Sequence, residues 1–243
     1  MTVRAREHAL LAAACSLLLA PSAHADTAIE TETAQIGHQG EIGISNSLEF
    51  EKATDGKAMG TLSQVEYGIT DRSEILIEPF FQVWEFPDDG PSVHGMGDLE
   101  LTPSYEFLLE DGWVPALLAA FKLKVPTGSK KLSDSTGKFD YYPYLILGQH
   151  LGGWILNANL GVDFITPPKG SGMDHQLVWD VEFERQFFGS LTWFIEGYTD
   201  ESGVAAGSTA LEYAFNDTIN AFVAFSYDAE KAVIVRPGFN LDF

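Results

Sequence analysis

One cysteine, Cys15, stands in 243 residues. Without a second thiol there is no disulfide framework, no redox pair and no cysteine-built metal site. Basic residues are also scarce: 14 Lys and Arg face 35 Asp and Glu, a formal charge of −21. That balance sets nucleic acid aside as a partner, because phosphate binding calls for a basic surface. The six histidines are scattered, and no pair has zinc-ligand spacing. No Gly-x-Ser-x-Gly elbow occurs. Gly95-x-Gly97 lacks the third glycine of a dinucleotide loop and opens a strand, not a helix. No cofactor is implied, and the chain does not read as an enzyme. No apolar run reaches the ~20 residues of a membrane-spanning helix.

What is present begins with an export signal. Residues 1–25 carry Arg4 and Arg6, an apolar run from Ala9 to Ala20, then Pro21 and the small-residue pattern Ala23-His24-Ala25. Those are the three parts of a signal peptide, with cleavage expected before Asp26. Removing it leaves 12 basic against 34 acidic residues and no cysteine. Residues 26–38, polar and acidic, read as a loose periplasmic lead-in.

Residues 39–243 alternate. In the stretch from Gly95 to Gly128, Leu99, Leu101, Tyr105, Phe107 and Leu109 share one face, and Asp98, Glu100, Thr102, Ser104 and Glu106 the other. After the turn Glu110-Asp111-Gly112, Leu117, Ala119, Phe121, Leu123 and Val125 alternate with Lys122 and Lys124. Period-two patterning over about 11 residues fits strands that cross a bilayer at the usual tilt. Twelve such strands are predicted: 40–51, 59–69, 73–86, 97–109, 114–125, 140–151, 154–165, 174–187, 190–199, 208–216, 218–228 and 231–243. Connections after even-numbered strands are tight turns, and most of those after odd-numbered strands are longer. The fold class is therefore all-β: a closed antiparallel transmembrane barrel, short turns in the periplasm and long loops outside. Pro79, Pro103, Pro143 and Pro237 fall inside these strands and stand against them, since proline cannot donate to a ladder.

The last strand places Val233, Val235, Phe239, Leu241 and Phe243 on one face and ends on an aromatic. That ending looks like the assembly signal of bacterial outer-membrane barrels, carried by Phe239, Leu241 and Phe243. Trp113, Tyr142, Trp154, Trp179 and Trp193 lie where aromatic girdles are expected. With the apolar faces turned to lipid, the lumen-lining candidates are Glu74, Glu78, Glu100, Glu106, Asp163, Asp180, Glu182, Glu184, Glu196 and Glu212, with the bases Lys122, Lys124 and Arg236. Glu100 and Glu106 are expected near Lys122 and Lys124 as cross-strand ion pairs. The loop acids Asp88, Asp89, Asp134, Asp200 and Glu201 read as a solvated face. A hydrolase could be drawn only from Asp174-His175 with Ser171 or Ser190.

The stretch Gly95-Met96-Gly97-Asp98-Leu99, Tyr105, Leu108, Pro115-Ala116-Leu117 and Leu123-Lys124-Val125-Pro126-Thr127-Gly128 resembles a family of outer-membrane proteins linked by name to the meta-cleavage pathway of phenol degradation. Tyr67-Gly68-Ile69-Thr70-Asp71-Arg72 is similar to the same family. Ser104 departs from its pattern, where a basic residue often precedes the tyrosine. The resemblance implies a barrel with a transport role; it carries over no substrate and no catalytic residues.

The expected function is passive passage of small molecules, cation-preferring by its acidic lumen, or of small hydrophobic or aromatic compounds by the resemblance. The alternatives are a non-conducting structural or surface-binding barrel and a lipid-modifying enzyme. The expected location is the bacterial outer membrane. The expected partners are its lipid and lipopolysaccharide, the barrel assembly machinery through the final strand, and small solutes.

Overall fold

The structure, a computed structural model, describes residues 31–132, 135, 137–167, 172–199, 203–229 and 231–243. The export signal, Asp134, Ser171, Asp200 and Glu201 lie outside the described residues. Period-two alternation dictates the architecture: each strand turns one side chain in and the next out, so one face of the sheet is apolar throughout.

Thirteen strands form among the described residues: β1 (Ile42–Lys52), β2 (Gly56–Thr70), β3 (Ser73–Pro87), β4 (Val93–Met96), β5 (Leu99–Leu108), β6 (Ala116–Val125), β7 (Asp140–Leu151), β8 (Trp154–Ile165), β9 (Asp174–Phe187), β10 (Leu191–Thr199), β11 (Ala205–Ala214), β12 (Ile219–Asp228) and β13 (Val233–Asp242). Twelve of them, all except β4, make one closed antiparallel ring, each paired with its neighbours in sequence. The ring closes where Ile44 of β1 faces Leu241 of β13 and Val65 of β2. Closure leaves no unpaired edge, the only sheet solution compatible with lipid on every side. The short β4 lies in a connection read from sequence as loop, and it pairs with the outer part of β3. The tenth strand of the sequence reading, at 208–216, is β11 here and begins three residues earlier.

The prolines are accommodated by omitted rungs. Pro103 is paired with Ile75 of β3, but toward β6 the ladder passes from Leu101–Leu123 to Ser104–Ala120 in unchanged register. Pro143 is paired with Phe121 while its β8 side is skipped between Tyr141–Phe164 and Tyr144–Gly161. Pro237 is paired with Val223 while its β1 side is skipped between Phe50–Val235 and Ser47–Gly238. Pro79 lies instead at a register shift of the β2–β3 pair, near where β3 leaves β5 and turns to β4. A bulge or a missing rung removes the need for the absent N–H.

The outside carries exposed apolar side chains on every long strand, among them Leu48, Tyr67, Phe107, Phe121, Leu145, Leu160, Phe183, Ile195, Leu211, Phe225 and Phe239. The buried residues lie inward, many of them polar. An inside-out distribution of this kind is that of a barrel solvated by hydrocarbon.

One expectation is corrected. From Thr31 onward the supposed loose lead-in runs inside the barrel. The chain leaves β1 at the turn end, where the Gly40 main-chain N–H donates to the Gly68 carbonyl at 2.8 Å, and its preceding residues run along the inner wall. The reason is an apolar inner patch of Ala116, Leu118, Ala120, Tyr144 and Ile146, against which Ala34 and Ile36 pack. Leu118 has no exposed surface. An apolar patch facing a polar lumen needs cover, and this segment supplies it.

Candidate functional site: the occluded lumen

The site is built from the inward positions of the twelve ring strands together with the segment 31–40. That segment has no sheet partner, so its main-chain N–H groups must find acceptors elsewhere. The wall supplies them. Thr31 N donates to Glu196 Oε1 at 3.2 Å, Ala34 N to Asn157 Oδ1 at 3.2 Å, and Gly37 N to Glu74 Oε2 at 3.1 Å. Gln39 N donates to Asp71 Oδ1 at 3.1 Å at the rim. Asn159, with its amide oriented to satisfy both groups, donates to the Glu32 carbonyl at 3.0 Å and accepts from Glu32 N at 2.7 Å. Part of the acidic excess on the wall thus serves as acceptors for a strand-like plug.

The thirteen residues singled out from sequence fall into two groups. Glu78, Glu100, Lys122, Lys124, Asp163, Asp180 and Arg236 line a cavity of about 590 Å³. Its other described walls include Thr31 and Glu32 of the inner segment and Leu132 and Ser135 of the β6–β7 loop. Glu74, Glu106, Glu182, Glu184, Glu196 and Glu212 are not on that cavity. All of these except Glu74 are buried. There Asn157 Nδ2 donates to Glu182 Oε1 at 3.0 Å, Asn240 Nδ2 to Glu212 Oε2 at 3.2 Å, and Ser208 Oγ to Glu196.

Lys122 Nζ lies 3.5 Å from Glu100 and 3.8 Å from Glu78. The expected Glu106 pairing does not form. Glu106 faces Leu118, whereas Glu100 faces Lys124. Lys122 and Lys124 lie four and six residues beyond Leu118, about 13 and 20 Å along the strand and beyond the reach of a lysine. Tyr142 also departs from the reading: it is no girdle residue but turns inward and stacks on Tyr144, ring centroids 4.5 Å apart. Arg236 reaches across the β1–β13 seam to Glu49, Nε to Oε2 3.0 Å, beside the rung that Pro237 omits.

Sequence reasoning missed Glu49, Glu51 and Asp140, which line the same cavity. The alternation of Leu48 and Phe50 with Glu49 and Glu51 carries that signal. Thr31 and Glu32 had no local signal, because they belong to no strand. At the loop end, Asp98 Oδ1 accepts from Gly128 N at 2.6 Å and Oδ2 from Ser135 Oγ at 3.4 Å, holding the β6–β7 loop against the mouth.

Among the described residues the hydrolase set is not assembled. His175 stands at the loop end of β9, facing Phe164, and Ser190 follows the far end of the same strand. About fifteen residues of strand separate them, near 50 Å. Among the described residues, no three His, Cys, Asp or Glu side chains are grouped to hold a metal ion.

Comparison with known proteins agrees with this architecture. The chain is similar over 90% of its length, and all of the other's, to the COG4313 outer membrane channel from Pseudomonas putida F1, with a TM-score of 0.66 and 14% identity. It is similar over 82% of its length, and 99% of the other's, to the KdgM porin in complex with disordered oligogalacturonate, at 0.57 and 15%. It is also similar, over 93% and 97% of the two chains, to an active-site mutant of the outer membrane phospholipase A from Escherichia coli, at 0.52 and 11%. At these identities the likeness is one of fold. No sequence among curated proteins matches. The family model described as "Putative MetA-pathway of phenol degradation" matches residues 49–243, and the chain belongs to that family.

Proposed function

We propose that the protein is a passive channel of the bacterial outer membrane that favours cations and small solutes with an apolar body, its lumen narrowed at rest by residues 31–37. The observation that carries this reading is the cavity lining: ten described carboxylates, Glu32, Glu49, Glu51, Glu78, Asp98, Glu100, Asp140, Asp163, Asp180 and Asp228, against Lys122, Lys124 and Arg236. Such an excess in a confined volume concentrates cations and repels anions. An acidic saccharide of the kind in the KdgM porin complex is disfavoured here on charge. Leu62, Leu76, Val83, Leu132, Ile165 and Val178 share the lining and, with the family's name, favour a solute that is partly apolar. Export by residues 1–25 and insertion through the final strand, Phe239, Leu241 and Phe243, belong to the same reading.

The test is single-channel recording of the refolded protein in a planar bilayer under a potassium chloride gradient. Discrete steps with a reversal potential toward that of potassium support the reading, and Glu100→Gln with Asp163→Asn should move that potential toward zero. Steps selective for chloride overturn the charge argument. A folded barrel that stays silent, with or without residues 31–37, overturns the channel.

A further inference from the structure

Arg185 faces outward, on the lipid side of β9. Outward positions of that strand run His175, Leu177, Trp179, Val181, Phe183, Arg185 and Phe187. From His175 to Arg185 is about 33 Å of strand, or about 25 Å of height at the usual tilt, the height of a barrel's apolar band. Arg185 therefore stands at the lower border of that band, three residues from the Phe188-Gly189 turn. Among the described residues it is the only charged side chain that a strand turns outward in the half nearer the turns; Lys52 and Lys57 stand at the loop end.

Its surroundings are built. The guanidinium carbon lies 5.1 Å from the centre of the Trp154 ring and 5.2 Å from that of Phe187. Trp193, the cross-strand partner of Arg185, lies 6.0 Å from Trp154, centroid to centroid, and is fixed by its Nε1 donating to Thr209 Oγ1 at 2.7 Å. In a chain of charge −21, this guanidinium meets no carboxylate among the described residues, only rings. Aromatic faces hold and orient it while leaving its N–H donors unclaimed. At headgroup depth, the acceptor that fits a planar fork of donors is a phosphate, and a guanidinium with no carboxylate partner among the described residues favours one whose charge no tethered ammonium offsets.

We propose that Arg185, with Trp154, Phe187 and Trp193, binds the phosphate of an anionic phospholipid in the periplasmic leaflet. The site is independent of what the lumen carries.

The experiment titrates the folded protein in neutral detergent with phosphatidylglycerol carrying brominated acyl chains, and separately with brominated phosphatidylcholine, reading tryptophan quenching. The wild type should show saturable quenching at least about tenfold stronger in half-point for the anionic lipid. Arg185→Gln should erase that preference, with folding checked by heat-modifiable gel mobility. Arg185→Lys keeps the charge but loses the fork, and should retain only part of the preference; it also serves if the glutamine variant fails to fold. Equal quenching by the two lipids, or a preference that survives Arg185→Gln, overturns the proposal. Reversal of the quenching by millimolar inorganic phosphate would make this a site for free phosphate and overturn the lipid assignment.

Discussion

The occlusion of the lumen rests on a contact that one methyl group can disturb. Gly148 lies on the inner face of β7 beneath the segment 31–37. A Cβ there would come 2.3 Å from the Ala34 Cβ and 3.3 Å from Asn157 Oδ1, the acceptor of the Ala34 N–H. Two carbons need roughly 3.5 to 4 Å, so Gly148→Ala must push the segment about 1.5 Å off the wall or displace it. Overpacking of this kind costs about 1–3 kcal/mol. The absolute seated population also contains the entropy of ordering the segment, but that contribution is common to both proteins and cancels in the comparison. The difference alone predicts that the unseated fraction rises by roughly 5- to 150-fold. The assay is the fraction of time spent in the larger conductance state in a planar bilayer, with heat-modifiable mobility confirming a folded barrel. Ala34→Gly in the same background removes one of the clashing methyls, leaving the Ala34 Cα at 3.6 Å from the new Cβ, and should restore wild-type behaviour. If Gly148→Ala and wild type gate alike, while removal of residues 31–37 changes conductance, the segment is held by something other than this contact and the reasoning fails.

The seam between first and last strands gives a second prediction. Arg236→Met leaves the largely buried Glu49 without the partner that bridges the missing rung, a loss of roughly 3 kcal/mol that should lower the urea midpoint of unfolding; an unchanged midpoint would show that the pair contributes nothing to closure. At the turn end, burial works against ionisation of Glu110, yet donation from the His150 ring and main-chain N–H and from Gln149 outweighs it and holds the carboxyl below its ordinary value of 4.5. Because the folded value is the lower one, this latch contributes fully above about pH 4.5 and is lost as pH falls through that depressed value. Carbon-13 titration of the Glu110 carboxyl should show the depressed midpoint, and His150→Ala should raise it. At the loop end, Asp98→Ala removes the acceptor of the Gly128 N–H and should speed trypsin cleavage after the exposed Lys130 or Lys131 several-fold, with unchanged cleavage counting against Asp98 as the tether of that loop.

Much of the barrel could be read because alternation is a local signal. Phe121 to Val125, and Trp154 to Ile165, announce their faces from spacing alone, and β7, β8 and β9 begin and end where that spacing begins and ends. The family match covers the same strands. The prolines stood against strands that nonetheless form, because one strand's sequence does not show which of its two ladders can go without a rung. Pro103, Pro143 and Pro237 each keep one neighbour and give up rungs to the other, a choice made by inter-strand geometry that no single strand displays. Register was illegible for the same reason. Whether Glu106 or Glu100 meets a lysine depends on where β5 lies against β6, and the bulge after Glu106 is not written in either strand.

The plug was missed for a different reason, one the sequence does contain. Ala116 to Phe121 is apolar on both faces, as are Tyr144 to Leu147 of the next strand. A barrel wall with lipid outside and water inside should never need that pattern; a strand apolar on both faces is covered on both. The two adjacent strands therefore call for an inner cover of a few small apolar residues with main-chain donors to spare. Residues 31–37, Thr-Glu-Thr-Ala-Gln-Ile-Gly, meet that description, with Ala34 and Ile36 on the patch and N–H groups on Glu196, Asn157 and Glu74. The polarity of the segment, which first suggested a chain loose in water, instead matches the polar lumen it occupies. The acidic wall then has two separable roles: Glu196 and Glu74 anchor the plug, while Glu78 and Glu100, with Lys122 between them, face the cavity proposed as the solute path. Neutralising the first pair should change how often the lumen opens, and neutralising the second which ion passes when it does.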